Sequence, residues 1–179
     1  MGREFLYWEI AGFIVTVVLG TLLHFVYQWS GEIKIVGLFA PVNESTWEHL
    51  KLLFVPMTLF TAAEYFPVGW EKENFIAAKA VGILIGMLTI LIIFYTYTGI
   101  LGKNYLWADI ATFIIGVAAA YGYAWFKMNK APDFIKDSNL IGLTLILVIA
   151  LCFTYFTFDP PRIALFRDPV SGRYGIAGL

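Results

Sequence analysis

The sequence predicts an all-α, polytopic transmembrane helical bundle of about five spans, with a re-entrant or interfacial linker and a C-terminal tail folded over one face. Three observations lead there. Apolar residues make up 60 % of the chain and charged residues 14 %, against roughly 45–50 % and about 25 % in a soluble domain; mean hydropathy is +0.76. A soluble fold of this size could not hide so much apolar surface, so lipid must be its solvent. Five stretches supply the roughly 20 apolar residues that cross a bilayer core. The segment after the last of them is rich in proline and glycine, which prescribe turns.

The expected spans cover residues 5–29, 46–66, 75–101, 105–128 and 139–158, in one integral membrane domain over 1–179 whose tail is 159–179. The first begins like a signal sequence, with Arg3 before an apolar run. Glu4 and Glu9 interrupt that run, it continues to Trp29, and no small-x-small cleavage site follows, so a retained span is expected. The next segment, 32–42, has an apolar core (IVGLFAPV) too short to span, so it should lie in the interface or dip in and return. In the second span Pro56 should kink the helix and free backbone carbonyls, and Pro67 should stop it. The third carries Gly82 and Gly86, and the fourth Gly116 and Ala120, small-residue faces suited to close helix packing. The fifth contains Cys152, the single cysteine, which rules out an internal disulfide and reads as a small hydrophobe. Trp8, Trp29, Trp47, Tyr105, Trp107 and Trp125 near span ends form an aromatic belt.

A net charge of −1 leaves no basic footprint, so nucleic acid is not an expected partner; the lipid bilayer is. No internal repeat is visible, which argues against an inverted-repeat transporter. An odd number of spans puts the termini on opposite faces, here face A (N-terminal) and face B. Face A collects Arg3, Lys72, Lys127, Lys130 and Lys136, and face B collects Lys34, Lys103, Arg162, Arg167 and Arg173. Compact early loops favour A as the cytoplasmic side of a cell membrane.

Parity then assigns to face B the linker Asn43-Glu44-Ser45-Thr46-Trp47-Glu48-His49, the turn after the third span, and the tail. At about 1.5 Å per residue, His24, His49 and Asp109 each lie very roughly 6–8 Å inside face B, on three different helices. Ionisable groups at such depth normally face a bundle interior and find partners. Bland readings stand beside the functional one. Ser45 with Glu48 is a capping box, Ser45 capping the second span and Glu48 reaching back to a free N–H. Glu44 suits the positive end of the helix dipole, and Asp109 is a first-turn acid. Either histidine alone is a sufficient cross-helix hydrogen-bond partner. A metal ion held by His24, His49 and Asp109 is the sharper reading, although no HExxH or i,i+4 histidine pair supports it and the sequence requires no cofactor. Near face A, Glu9, Glu64 and Lys79 form a structural tie in the plainer reading. Glu64 shares a helix stripe with His49 and would continue a proton or ion path in the other.

The tail carries Leu165, Phe166 and Tyr174 among its turn residues, which suits a cap over face B, with Arg162 or Arg167 reaching Glu44, Asp109 or Asp159. Two segments, VNESTWEHLKL (42–52) and PPRIALFRDPVSGRYGI (160–176), are long and specific. By these the chain resembles a group of small prokaryotic multi-pass membrane proteins classified only as a domain of unknown function. The resemblance implies a bacterial or archaeal cell-membrane protein and brings no activity, ligand or catalytic residue with it.

The functional expectation is a polar pocket at face B for a small polar or ionic ligand, as in a small transporter or sensor. Its candidate residues are His24, Asn43, Glu44, Glu48, His49, Asp109, Arg162, Arg167 and Tyr174, with Glu64 on a possible path. The alternative is a membrane-embedded enzyme on a lipid or lipophilic substrate, with His49 or His24 as general base and Asp109 orienting it. A structural or accessory subunit is third. A transporter needs polar groups continuing toward face A, whereas an enzyme needs only a dead-ended pocket. Oligomeric state is not legible in the sequence.

Overall fold

The computed structural model describes residues 2–70, 72, 74–130 and 138–176; Lys136 and tail residues 177–179 lie outside that set. Six helices and no paired strands make up the described chain: α1 (Gly2–Trp29), α2 (Thr46–His49), α3 (Lys51–Glu64), α4 (Phe75–Leu101), α5 (Leu106–Lys130) and α6 (Ser138–Phe158). Short α2 runs through Leu50 into α3, and together they make the second span, so five helical segments are long and apolar enough to cross a membrane. Lipid is the solvent their outer faces call for. Ile14, Val18 and Leu22 on α1, Leu88 and Ile92 on α4, and Leu147 and Leu151 on α6 are all exposed.

The second span outlasts its expected stop. One π-helical turn, Tyr65–Gly69, carries the chain through Pro67. Proline has no N–H to give, and the wider turn closes instead with the Trp70 N–H donating to Tyr65 O at 2.7 Å. Upstream, Pro56 sits within α3 and withholds a donor from the Leu52 carbonyl. That carbonyl lies against Gly20 of α1, where a Cβ would come within 2.4 Å of Leu52 O. A glycine is the residue that lets the two backbones meet.

Helices α4 and α5 also pack backbone against backbone. A Cβ on Gly82 would lie 2.6 Å from Ala120 O, and one on Gly86 would lie 2.8 Å from Gly116 O, so the small-residue faces do what their spacing implies. The core lies between α3, α4, α5 and α6, around Leu53, Met57, Ile83, Val117 and Phe153. Cys152 beside it is a free, half-buried thiol.

The linker and tail share face B. The linker turns at Gly31 and Glu32, both at positive φ, and forms one 3-10 turn at Val36–Leu38. After α6 the tail makes a second 3-10 turn, Ala164–Phe166. It then tightens around buried Asp168, which accepts hydrogen bonds from the Val170 N–H (2.9 Å) and the Ser171 hydroxyl (2.5 Å). An isolated bridge pairs Arg167 with Tyr174 across this turn.

Candidate functional site

The two sequence segments that stood out meet in space. Phe166 is buried against Trp47 and Phe156, ring centres 5.0 and 5.1 Å apart. The Asn43 side-chain amide donates to Gly175 O at 3.1 Å, and the Ile176 N–H donates to Thr157 O at 3.0 Å. The tail is therefore pinned to the linker and to the end of α6.

Beneath these contacts is a buried ion pair. Lys51, fully buried, donates to Glu48 Oε2 (2.6 Å), Thr157 Oγ1 (2.6 Å) and Gly37 O (2.8 Å), so all three ammonium protons have acceptors. Ser45 does cap α2, accepting from the Glu48 N–H at 3.4 Å. Glu48 does reach back, but to the Val42 N–H at 3.1 Å, because Asn43 Oδ1 already takes the Ser45 N–H at 2.9 Å. The Glu48 carboxylate thus has a structural setting. Lys51 and Thr157 escaped the sequence reading. Their one signal was a lysine three residues after an acid inside an apolar span.

Between α2–α3, α4, α5 and the tail lies a cavity of about 360 Å³. Leu52, Ile90, Phe94 and Phe113 give it apolar walls, while Glu44, His49, Asn104, Asp109 and Arg167 bring polar groups to it. Ala164, Pro169 and Val170 of the tail complete the lining. Asp109 accepts hydrogen bonds from the Tyr97 hydroxyl and from Asn104 Nδ2.

At the edge of this cavity the two histidines come together. His24 and His49 have ring centres 5.1 Å apart, with Glu44 facing both: its oxygens lie 4.0 Å from His24 Nε2 and 3.4 Å from His49 Nε2. Glu44 sits in the linker, outside the spans. The hydrogen bond to His49 holds its carboxyl below the usual range; partial burial opposes this, and the charges of His49 and His24 add to it. Donor atoms of His24, Glu44 and His49 all lie within 4.8 Å of one another, close enough to hold a metal ion. The acid beside the histidines is Glu44; Asp109 stands elsewhere in the lining and is not in this group.

Of the other named residues, Asn43, Glu48, Arg162, Tyr174 and Glu64 fall outside the cavity lining. Asn43 serves the linker and tail, and Tyr174 is half-buried in the tail bridge. Arg162 and Arg167 are both exposed, and among the described residues neither pairs with an acidic side chain. Long exposed side chains gain too little from such a pair to be held in one geometry. Near face A, buried Lys79 lies 2.7 Å from both Glu9 Oε1 and Glu64 Oε2, and 4.8 Å from the Tyr121 ring centre. Glu64 does not line the cavity, and fully buried Leu53 and Met57 occupy α3 between His49 and Glu64.

No curated protein and no solved structure matches the chain. It does match the family of unknown function DUF6512 over residues 3–176, nearly its whole length, and it belongs to that family.

Proposed function

We propose that this membrane protein holds a small ligand with a polar or ionic head and an apolar body in the cavity at face B. One observation carries the reading: charged and hydrogen-bonding groups from the linker, α2, α5 and the tail border a single space whose walls are otherwise apolar. A site of that composition binds the apolar part by burial and fixes orientation with a few polar groups. The apolar packing between the cavity and Glu64 favours a dead-ended pocket over a through-path, and so a binding protein or sensor over a transporter. The polar head lies toward His49, Asp109 and Arg167, and a metal ion beside the histidines is the ionic component. In the orientation we favour, the N-terminus is cytoplasmic and the pocket opens on the other side of a prokaryotic cell membrane.

A second reading is supported by His49 and Asp109 bordering the same dead-ended space. A lipid-directed enzyme would use His49 Nε2 as general base there, with Ser45 O on Nδ1 in the orienting place. Native mass spectrometry of the full chain released from lipid nanodiscs tests the pocket itself. A discrete co-purified mass in wild type, lost in Leu52→Trp, is expected. The same bound species in both proteins, or none in either, would refute it.

A further inference from the structure

We infer, deepening the pocket reading, that His24, Glu44 and His49 form a binding site for one divalent first-row transition-metal ion at the cavity edge. The reasoning begins with the tautomer of His49. Its Nδ1 lies 2.9 Å from Ser45 O, and a carbonyl only accepts, so Nδ1 carries a proton. Nε2 is therefore the atom turned toward Glu44, 3.4 Å away. A nitrogen lone pair facing a carboxylate is repulsive unless a positive charge lies between them.

Protons on the two histidines are the charge that the described chain itself brings to Glu44. Among the described residues no lysine or arginine comes within ion-pair distance of Glu44. One extra proton on His49 satisfies that contact, while His24 Nε2, 4.0 Å from the other carboxylate oxygen, stands too far away to hydrogen-bond it. Protonating both rings sets two cations side by side with ring centres 5.1 Å apart. A single divalent ion serves all three donors at once.

The spacing suits such an ion. Metal–nitrogen and metal–oxygen bonds of about 2.0–2.2 Å at tetrahedral angles place neighbouring donor atoms roughly 3.3–3.5 Å apart. The His49–Glu44 separation of 3.4 Å is already there, and the widest pair, within 4.8 Å, needs a contraction of only about 1.5 Å. Side-chain rotation can supply that, because the three side chains are 28–43 % exposed rather than locked in the core. Two imidazoles select against magnesium and calcium, which prefer all-oxygen shells, and suit zinc or ferrous iron. The Ser45 carbonyl plays the part that outer partners of ligating histidines usually play, fixing tautomer and ring orientation. Three protein donors leave a coordination position open, and Glu44 and His49 line the cavity, so that position borders it.

The test uses the full chain purified without a histidine tag, stripped with EDTA and titrated with Zn²⁺ by calorimetry or with Co²⁺ by visible absorption. One equivalent per chain is expected. His24→Ala, His49→Ala and Glu44→Gln should each weaken binding by at least about tenfold, while Asp159→Asn, at an exposed carboxylate outside the cavity lining, leaves it unchanged. Size-exclusion profiles matching wild type exclude misfolding as the cause. Failure of wild type to bind one equivalent, or equal affinity in the His24→Ala/His49→Ala double variant, overturns the metal site. Leu52→Trp separates this inference from the pocket reading, because it fills the cavity while leaving all three metal donors in the sequence. A metal retained with the cavity filled supports the ion site by itself. A cavity ligand detected in wild type that takes up no metal leaves the pocket standing and removes the ion.

Discussion

Replacing Lys51 with methionine tests the interior of face B most sharply. In the native arrangement the ammonium makes three short hydrogen bonds and neutralises Glu48 in a place neither side chain shares with solvent. Methionine fills much the same volume and carries no charge, so Lys51→Met leaves a buried carboxylate whose remaining donors are the Val42 N–H and the Thr157 hydroxyl. Gly37 O loses its side-chain donor as well. Breaking one partner of a buried pair typically costs about 3–5 kcal/mol. Glu48→Gln should cost a similar amount, because it leaves Lys51 buried without a counter-ion. The Glu48→Gln/Lys51→Met double variant buries no charge and should be more stable than either single variant. Reversible unfolding in mixed detergent micelles reads all four corners of the cycle. Additive costs would refute the reasoning, since they would mean that the two groups do not depend on each other.

Four further outcomes follow from the packing. Gly20→Ala should destabilise by about 1–3 kcal/mol, since its methyl would meet the Leu52 carbonyl rather than a movable side chain; a neutral change in unfolding midpoint would show that α1 and α3 are not in such close contact. Lys79→Met should be far more damaging than Glu9→Gln, because the first leaves two buried carboxylates facing one another's charge and the second leaves a Glu64–Lys79 pair intact; equal losses in the same unfolding assay would contradict this. Truncation after Phe158 should leave the spans inserted but expose a cysteine placed at Asp109, in a background lacking Cys152, to a membrane-impermeant thiol reagent. Unchanged labelling would mean that the tail does not cover the cavity. Asn43→Ala should raise the same labelling partially, since it removes one of the bonds pinning the tail, and labelling at the wild-type level would assign the anchoring to Phe166 and Ile176 instead.

The architecture was legible because membrane spans are written in uninterrupted apolar runs, and the first, third and fifth span limits read from them fall within a few residues of α1, α4 and α6. The end of the second span was not, because a proline signals a lost hydrogen bond without saying whether the helix stops or widens, and at Pro67 it widens. Parity and depth together placed His24, His49 and Asp109 at one level of the membrane. Depth carries no information about which side of a helix a residue faces, so the identity of the acid beside the histidines could not be read: it is Glu44, on the linker. The capping box was recognisable, yet its glutamate also belongs to the Lys51–Thr157 network, which joins positions far apart in the chain through a contact with α6 that no local pattern encodes. Among the charges near face A, the Glu9–Lys79–Glu64 group was anticipated as a tie, because buried charges in a bilayer must find one another.

The most direct measurement is a crystal structure of the full chain grown from a lipidic mesophase. The expected map shows the tail seated over face B and non-protein density in the cavity touching His49 and Asp109. Side chains filling that space, with 164–170 lying away from α2 and α5, would contradict the pocket.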